Sequence, residues 1–243
     1  MQRYFTEKLD NNTFTLNKDD TYHIKKVMRM NLGDKIEVIY NKELYIAEII
    51  NYDELTQAKV IGKLDTYNEL SNNVILVQSL VKEQKMDYIL QKNTELGVST
   101  FIPYQADRSI VKIKSNDSKK IERWSKIVKE ASEQSKRNII PNVTNVYDIN
   151  ELIKIQADIK LLCSVNEKSV SIKKMLDSID LNSKILVVIG PEGGFSEKEE
   201  AKLMENGFVS VSLGTSVLRT ETAGVFVLSC IRYQNMGWKK WIY

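Results

Sequence analysis

Residues 184–203, KILVVIGPEGGFSEKEEAKL, contain the clearest indication of the fold. Within this stretch, residues 185–189 form an uninterrupted apolar run, which is typical of a strand buried on both faces of a parallel sheet. The run leads into a glycine-rich loop at 190–194, after which Ser196 and Glu199 stand at the spacing of a helix capping box. Glycines at the end of a strand let backbone amides approach a ligand, and open α/β sheets bind ligands at this edge. The stretch therefore predicts a ligand-binding loop, with a tight structural turn as the alternative.

The glycine-rich loop lacks the features of phosphate-binding loops. It matches neither the GxGxxG pattern of dinucleotide-binding domains nor the GxxxxGK[ST] pattern of P-loops. It also contains no lysine that would neutralise a phosphate. We therefore expect a ligand that is held by backbone amides and carbonyls rather than through phosphate groups.

A second loop repeats this arrangement. The apolar run FVSVSL is followed by Gly214, by the segment TSVLRTETAG and by an apolar helical pattern. Val217 and Leu218 interrupt an otherwise polar loop, as expected if they line a small-molecule pocket. Thr220 has the side chain and the position of a helix N-cap.

Two charged residues lie at the start of this last helix. Glu221 would lie in the first turn, where a carboxylate interacts favourably with the helix dipole. Arg219 precedes it by two positions. Two charges beside an apolar loop indicate a role toward a ligand, and a salt bridge between them at the helix start is the alternative.

The 243 residues are enough for one large domain or two modest ones. Up to about residue 65, short β-branched runs such as KIEVIY and LYIAEII alternate with turn residues and predict a small β domain. Within it, TYHIKKVMRM predicts a helix that Asp19 or Asp20 caps and Gly33 ends. Farther along, strand-like runs alternate with helical patterns, which indicates βαβ units and a mostly parallel sheet. We expect a β domain over 1–70 and an α/β domain over 71–243.

The composition excludes several classes of protein. A hydrophobic fraction of 42% and a charged fraction of 28% are typical of a globular chain with a sizeable core. The single histidine, His23, excludes HExxH proteases and zinc sites with two histidines. Cys163 and Cys230 lie far apart in apolar runs, so we expect buried thiols in a reducing compartment. No signal peptide is visible and no apolar run approaches the ~18 residues that span a bilayer, so we expect a cytoplasmic protein.

Positive charge is concentrated in the middle of the chain and at its end. Residues 82–141 contain 13 Lys and Arg against 8 Asp and Glu, whereas residues 1–70 contain 10 against 12. The segment 232–243 adds basic residues together with the aromatic Trp238, Trp241 and Tyr243. A polyanion such as RNA suits this distribution. Solvated lysines explain it equally well.

Motifs along nearly the whole chain resemble one known family. They are RYF at 3–5, HIKKVMRMNLGD at 23–34, Lys82 and Lys85, QKNTELGV at 91–98, Arg108-Ser109, EASEQSKR at 130–137, IGPEGGFS at 189–196 and SLGTSVLRTETA at 212–223. Together and in this order they resemble the 16S rRNA uracil-N3 methyltransferases, a branch of the SPOUT class of S-adenosylmethionine-dependent RNA methyltransferases. Met28 stands where the family usually has leucine.

The resemblance implies a fold and an assembly. It implies an N-terminal PUA-like β-barrel that helps to hold RNA, followed by an α/β SPOUT domain with a C-terminal trefoil knot whose loops bind S-adenosylmethionine. It also implies a homodimer with the active site near the subunit interface, and neither a metal ion nor a membrane partner. General rules of topology would not have led to a knot, because knots are nearly absent among folds. The implied cofactor-binding residues are Leu162, Cys163, Ser164, Gly190, Pro191, Glu192, Gly193, Gly194, Leu213, Gly214, Val217, Leu218, Thr220, Glu221, Thr222 and Ala223.

The implied reaction transfers a methyl group to N3 of one uridine in 16S rRNA of the small ribosomal subunit. The base has to be unpaired because N3 lies in its pairing edge, and the N3 proton has to leave. We expect Arg219 to stabilise the negative charge on the base, and Glu221 or Glu192 to orient groups or accept the proton. The cations that we assign to rRNA are Arg3, Arg29, Lys82, Lys85, Lys92, Arg108 and Arg137.

Some roles and some alternative functions stay open. His23 is expected to be structural or an RNA contact rather than catalytic. Glu95, Glu130 and Gln134 either line the substrate side or pair with nearby lysines. The alternative functions are a methyltransferase of the same class that acts on another RNA site, a non-catalytic RNA-binding protein, and a different α/β transferase or nucleotide-binding enzyme.

Overall fold

A computed structural model describes residues 1–113 and 117–236, which divide into two compact units. The first unit comprises Met1–Glu69 and Ser132–Ile139, and the second comprises Leu70–Ala131 and Ile140–Tyr243. The sequence predicted a single boundary after residue 70. In the structure, Ser132–Ile139 also belongs to the first unit. The predicted aromatic tail, Trp238, Trp241 and Tyr243, lies outside the described residues.

The first unit contains a six-stranded sheet with strand order β1-β4-β5-β6-β3-β2. Its strands are antiparallel except for the parallel pair β1 and β4. Its elements are β1 Arg3–Phe5, β2 Leu9–Asp10, β3 Thr13–Thr15, α1 Lys18–Tyr22, a π-helical turn His23–Val27, β4 Lys35–Tyr40, β5 Glu43–Asn51 and β6 Gln57–Leu64. Tyr4, Phe14 and Ile36 are among the side chains of its apolar core. The predicted small β-rich unit is therefore present.

The helix of the first unit begins and ends differently from the prediction. Its N-cap is Asn17, whose Oδ1 accepts from the Asp20 backbone N–H at 2.9 Å. Asp19 and Asp20 lie inside the first turn, so the prediction that one of them caps the helix was wrong. The helix continues as the π-helical turn, and Arg29 follows with a positive φ of 52°. The helical conformation therefore ends before Gly33.

Two buried ion pairs lie within the first unit. Arg137 pairs with Glu69, and their side chains are only 3% and 6% exposed. The Arg3 Nε donates to Glu37 Oε2 at 2.8 Å, and Arg3 Nη1 also donates to the Arg137 carbonyl at 3.1 Å. Both guanidiniums are committed to partners inside this unit. Such buried pairs contribute more to a defined arrangement than to net stability.

The second unit contains the predicted parallel sheet, with strand order β12-β10-β11-β7-β8-β9. All neighbouring strands in it are parallel. Its elements are β7 Asn73–Ser79, α2 Glu83–Glu95, β8 Thr100–Tyr104, α3 Ser118–Gln134, β9 Asn142–Val143, α4 Ile149–Leu152, β10 Ile159–Cys163, α5 Ile172–Leu176, β11 Lys184–Ile189, α6 Glu197–Glu205, β12 Val209–Val211 and α7 Thr220–Met236, with the last residues of α3 belonging to the first unit.

The central strand β11 is buried on both faces, as its continuous apolar run predicts. Ile185, Val187 and Ile189 belong to one apolar core, whereas Leu186 and Val188 belong to the core on the other face of the sheet. Among the described helices, none combines the length and the apolar composition that crossing a lipid bilayer requires.

Candidate functional site

Three adjacent strands end at the same edge of the parallel sheet and lead into the loops singled out by sequence. β12, β10 and β11 are neighbours in the sheet, and β7 follows β11. Because these strands are parallel, the loops that follow them leave from one edge. This edge is the usual ligand-binding position of open α/β sheets.

The first glycine loop, 190–194, connects β11 to α6. Gly194 has a positive φ of 66°, and its N–H donates to the Pro191 carbonyl at 2.9 Å, which closes a tight turn. A Cβ at Gly190 would lie 3.0 Å from the Phe195 ring, a buried core side chain. Ser196 then caps α6 in the predicted capping box. The loop is thus held at both ends and leaves its middle residues exposed.

A buried carboxylate fixes the loop after β8 beside the glycine loop. Glu199 Oε1 accepts from the Tyr104 hydroxyl at 2.8 Å and from the Asp107 backbone N–H at 2.9 Å. Ser196 Oγ donates in turn to Asp107 Oδ2 at 2.7 Å. Burial, together with the hydrogen bond to Glu199, raises the pKa of Tyr104 far above its ordinary value, so this phenol stays protonated as the donor.

Arg108 follows this anchored segment and lies at the rim of the glycine loop. Its side chain is exposed, and Nη1 donates to the Gly193 carbonyl at 3.1 Å. A Cβ at Gly193 would lie 3.4 Å from the Arg108 Cβ, so glycine permits this close approach. The structure therefore places one of the cations assigned to RNA next to the loop assigned to the cofactor.

The residues expected at the end of β10 differ in what they expose. The Leu162 side chain is fully buried in the core, and Cys163 packs against the core on the other face. Burial raises the pKa of the Cys163 thiol to about 12, and both cysteines are free thiols of intermediate exposure. Ser164 Oγ donates to Glu200 Oε1 at 2.7 Å. The side chains of Leu162 and Ser164 are thus both engaged within the protein.

The second loop, 212–219, combines a glycine at positive φ with an exposed apolar residue. Gly214 has a φ of 123°, a conformation that side chains rarely adopt. Val217 is 80% exposed, whereas Leu213 and Leu218 pack against the core. An apolar side chain exposed to this degree beside the strand ends is available to a ligand.

Thr220 joins the two loops rather than capping the last helix. It is the first residue of α7, and its hydroxyl donates to the Gly190 carbonyl at 2.6 Å. The same oxygen accepts from Gln78 Nε2 at 3.0 Å. The Arg219 carbonyl accepts the first helical hydrogen bonds, from Thr222 and Ala223 at 2.9 Å each. The predicted Thr220 cap was therefore wrong, because its hydroxyl is used across the sheet edge.

Lys85, at the start of α2, bridges the two carboxylates of the site. Its Nζ lies 2.9 Å from Glu192 Oε1 and 3.4 Å from Glu221 Oε2. Partial burial acts to raise the pKa of Glu192, but the hydrogen bond and charge of Lys85 outweigh it and hold that pKa below 4.5. The two carboxylates raise the pKa of Lys85 in turn. The cluster carries one net negative charge. The Lys85 ammonium is engaged by both carboxylates and is not a free cation for RNA.

Arg219 is exposed between these elements. Within residues 1–113 and 117–236, neither an ion pair nor a side-chain hydrogen bond involves its guanidinium. The ion pair of Glu221 is with Lys85 instead, so the alternative of a salt bridge between Arg219 and Glu221 was wrong. The Arg219 cation is therefore available to a ligand.

The remaining candidates fall into three groups. Arg3 and Arg137 are buried with internal partners, so we do not carry them into the RNA surface. Lys92 pairs with Glu95 at 2.8 Å on α2, which accounts for both residues without a substrate. Four further candidates are exposed, namely Arg29, Lys82, Glu130 and Gln134. His23 is partly buried, and its Nδ1 lies 3.0 Å from the Tyr4 hydroxyl, which is a structural contact.

The sequence reasoning missed Gln78 and the bridging role of Lys85. Gln78 is fully buried near the end of β7, beside Thr220. A glutamine in the apolar run VILVQSL was the signal that would have identified it, because buried polar side chains require partners.

Comparisons with known proteins agree with this geometry. The RNA methyltransferase domain family matches residues 68–232, and the RNA methyltransferase PUA domain matches residues 16–55. Ribosomal RNA small subunit methyltransferase E of Bacillus subtilis is 38% identical, with 97% of each chain covered. The protein of the same name from Aquifex aeolicus is 32% identical, with 95% of this chain and 99% of the relative covered.

A solved structure has the same fold. Ribosomal RNA small subunit methyltransferase E from Neisseria gonorrhoeae, bound to S-adenosylmethionine, has a TM-score of 0.86 and 30% identity, covering 96% of this chain and 97% of that one. The matched domain and the relatives both extend over the glycine loops, the Lys85 cluster and Arg219. The chain therefore belongs to the RNA methyltransferase family that contains the ribosomal RNA small subunit methyltransferases E.

Proposed function

We propose that this protein methylates N3 of one specific uridine in 16S rRNA of the small ribosomal subunit, with S-adenosylmethionine as the methyl donor. The observation that carries the proposal is the bond from the Thr220 hydroxyl to the Gly190 carbonyl, which joins two glycine loops. Next to it lies Arg219, which has no ion pair within the described part of the chain. One edge of the sheet thus offers backbone groups for a cofactor and a cation for a reacting base.

The residues at this edge fit S-adenosylmethionine. The glycine loops offer main-chain amides and carbonyls, and the exposed Val217 offers an apolar contact. The negative charge on the cluster of Lys85, Glu192 and Glu221 complements a cationic ligand. The other cofactor-binding residues that we propose are those implied by the resemblance, with Leu162 and Ser164 acting through their backbones. When bound, S-adenosylmethionine supplies an electrophilic methyl group on a sulfonium sulfur, which keeps the bonding electron pair as the methyl group leaves.

Arg219 stabilises the base as it loses its proton. Removal of the N3 proton leaves negative charge on the uracil, and a nearby cation favours that ionised form. The guanidinium is suited to this role because no carboxylate among the described residues neutralises it. Its planar fork of donors also fits a carbonyl oxygen better than an ammonium does.

Glu192 and Glu221 are better suited to orienting the loops and the cofactor than to accepting the N3 proton. Glu192 has a lowered pKa and is held by Lys85, which makes it a weak base. Glu221 lies at the start of α7 and shares the same ammonium. We assign Glu192 and Glu221 to orientation of the loops and the cofactor, with proton transfer to solvent as the route for the N3 proton.

The rRNA contacts in this proposal use exposed cations. Arg108 and Lys82 lie in the second unit, and Arg29 lies in the first. We propose that the first unit holds RNA, since the PUA domain family matches residues 16–55 within it. Phosphate contacts by these cations release counterions, so binding should weaken as salt increases.

The proposal also includes the knot, the dimer and the compartment. We propose that the chain after β10 forms the trefoil knot of the SPOUT class, with the glycine loops as its crossings. A homodimer is supported by exposed apolar side chains at Phe226, Tyr233 and Met236, which lie along one side of α7. A cytoplasmic location follows from an rRNA substrate.

Methylation at N3 is tested by its chemistry. A methyl group on the pairing edge of uracil blocks a reverse transcriptase, so treated small subunits should give one new primer-extension stop that depends on S-adenosylmethionine. Mass spectrometry of the fragment should show one added methyl group. Binding of S-adenosylhomocysteine without any methylation would favour another substrate, and RNA binding without cofactor binding would favour the non-catalytic alternative.

A further inference from the structure

Gln78 is a buried polar residue that the proposed reaction does not yet use. It lies in β7 opposite Ile189 of β11 in the parallel ladder, and its side chain is fully buried. Its Nε2 donates to the Ser79 backbone carbonyl at 3.1 Å and to Thr220 Oγ1 at 3.0 Å. A carbonyl can only accept, so the amide nitrogen, not the oxygen, faces Ser79 and Thr220.

The hydrogen bond from Gln78 fixes the direction of the Thr220 hydroxyl. A hydroxyl has one proton to donate, and the Thr220 proton goes to the Gly190 carbonyl at 2.6 Å. Because the amide N–H occupies an acceptor position on the same oxygen, rotation of this proton away from Gly190 would bring it toward another donor. The chain of hydrogen bonds therefore runs from β7 through the start of α7 to the end of β11.

Fold stability does not explain a glutamine at this position. Among the described residues, Gln78 Oε1 is buried without a hydrogen-bond partner. An unsatisfied buried acceptor is destabilising, whereas an apolar side chain of the same shape would avoid this loss. Because the Gln78 oxygen is unfavourable for stability, we attribute the presence of glutamine to the hydrogen bonds that its amide nitrogen donates.

We propose that Gln78 is a positioning residue for methyl transfer, acting through Thr220. By orienting the Thr220 hydroxyl, it holds the glycine loop 190–194 to the start of α7 and thereby fixes Arg219 and Glu221 relative to the cofactor and the base. This inference rests on the proposed function. It assigns Gln78 a role in which it contacts neither the cofactor nor the base directly.

The experiment compares Gln78→Met, Thr220→Val, Thr220→Ser and the double variant Gln78→Met/Thr220→Val in the full-length chain. S-adenosylhomocysteine affinity by calorimetry, single-turnover methylation of small subunits and the melting temperature are measured for each. Gln91→Met is the matched control, because Gln91 is exposed on α2, the helix that follows β7.

We expect Gln78→Met to weaken S-adenosylhomocysteine binding by about 10-fold, the scale of one lost hydrogen bond, and to slow single turnover. Its melting temperature should stay the same or rise, since the unsatisfied oxygen is removed. Thr220→Val should match it in affinity and rate, but its melting temperature should fall because the Gly190 carbonyl and Gln78 Nε2 lose their partner. The double variant should lose no more affinity or rate than either single variant, because both break one chain of hydrogen bonds. Thr220→Ser keeps the hydroxyl and should retain more affinity and a faster rate than Thr220→Val, whereas Gln91→Met should behave like the wild type.

Wild-type affinity and rate in Gln78→Met would overturn the proposal. Additive losses of affinity and rate in the double variant would also overturn it, because they describe two independent defects. If the wild type binds S-adenosylhomocysteine but does not methylate uridine N3, the proposed reaction fails, and the affinity series alone still decides the role of Gln78.

Discussion

Replacement of Arg219 by alanine should separate the chemistry from the stability of the fold. The guanidinium is exposed, and Glu221 has its ion pair with Lys85 instead. Loss of an exposed side chain without an ion pair changes the free energy of unfolding by less than about 0.5 kcal/mol. For a chain of this size, the melting temperature should then shift by at most about 1–2 °C.

Turnover should respond far more strongly than stability. Loss of one preorganised donor to a developing negative charge lowers the rate by about 10²- to 10³-fold. Arg219→Lys keeps the charge but not the planar fork, so part of the activity should remain. Cofactor affinity should change much less, because the interaction develops in the transition state.

Single-turnover methylation of small subunits, calorimetry with S-adenosylhomocysteine and thermal melting of the same Arg219 preparations check this prediction. A near-normal rate in Arg219→Ala would refute the role in catalysis. A rate loss that follows a large drop in melting temperature would refute it as well, since it would make the residue structural.

Three further predictions concern the rest of the site. Lys85→Met should lower the free energy of unfolding by about 0.2–1 kcal/mol at neutral pH, as expected for partly exposed ion pairs. In a series of thermal melts at different pH values, this difference should disappear as the pH falls through the lowered pKa of Glu192. Gly214→Val should abolish measurable S-adenosylhomocysteine binding by calorimetry while circular dichroism stays native, because a φ of 123° is strained for any side chain. Cys163 should resist iodoacetamide at pH 7.5 in the native protein, as followed by mass spectrometry, since its pKa is about 12.

Each of these predictions has a matched control. Lys92→Met removes a lysine from the same helix and breaks only the pair with Glu95, so it should leave cofactor binding unchanged. Gly62→Val places a side chain where nothing lies within 4 Å and φ is not positive, so it should be tolerated. Cys163 should react rapidly in denaturant. A stability loss in Lys85→Met that persists at low pH, normal binding by Gly214→Val, or rapid native labelling of Cys163 would each contradict the respective reasoning.

The sheet and the glycine loops were predictable because their signals are local. The apolar run of β11 and the capping box of Ser196 and Glu199 each depend on residues within a few positions of one another. The edge at which the loops meet follows from parallel strands alone. The helix start in the first unit was less predictable, since Asn17, Asp19 and Asp20 are all good caps and only the backbone conformation selects Asn17.

The partners of the charged and polar side chains were not predictable, because they depend on the topology. Lys85 and Glu192 are 107 positions apart, and Gln78 and Thr220 are 142 apart. No local pattern encodes such contacts. For the same reason, Arg3 and Arg137 resembled RNA-binding cations in the sequence, although their guanidiniums are buried inside the first unit.

The most direct test of the account is a map of methyl groups on 16S rRNA from cells with and without this protein. Mass spectrometry of nuclease fragments, supported by primer extension, locates each methylated uridine. We expect one N3-methyluridine that is present with the wild-type protein, absent without it and strongly reduced with Arg219→Ala. Identical maps with and without the protein would contradict it.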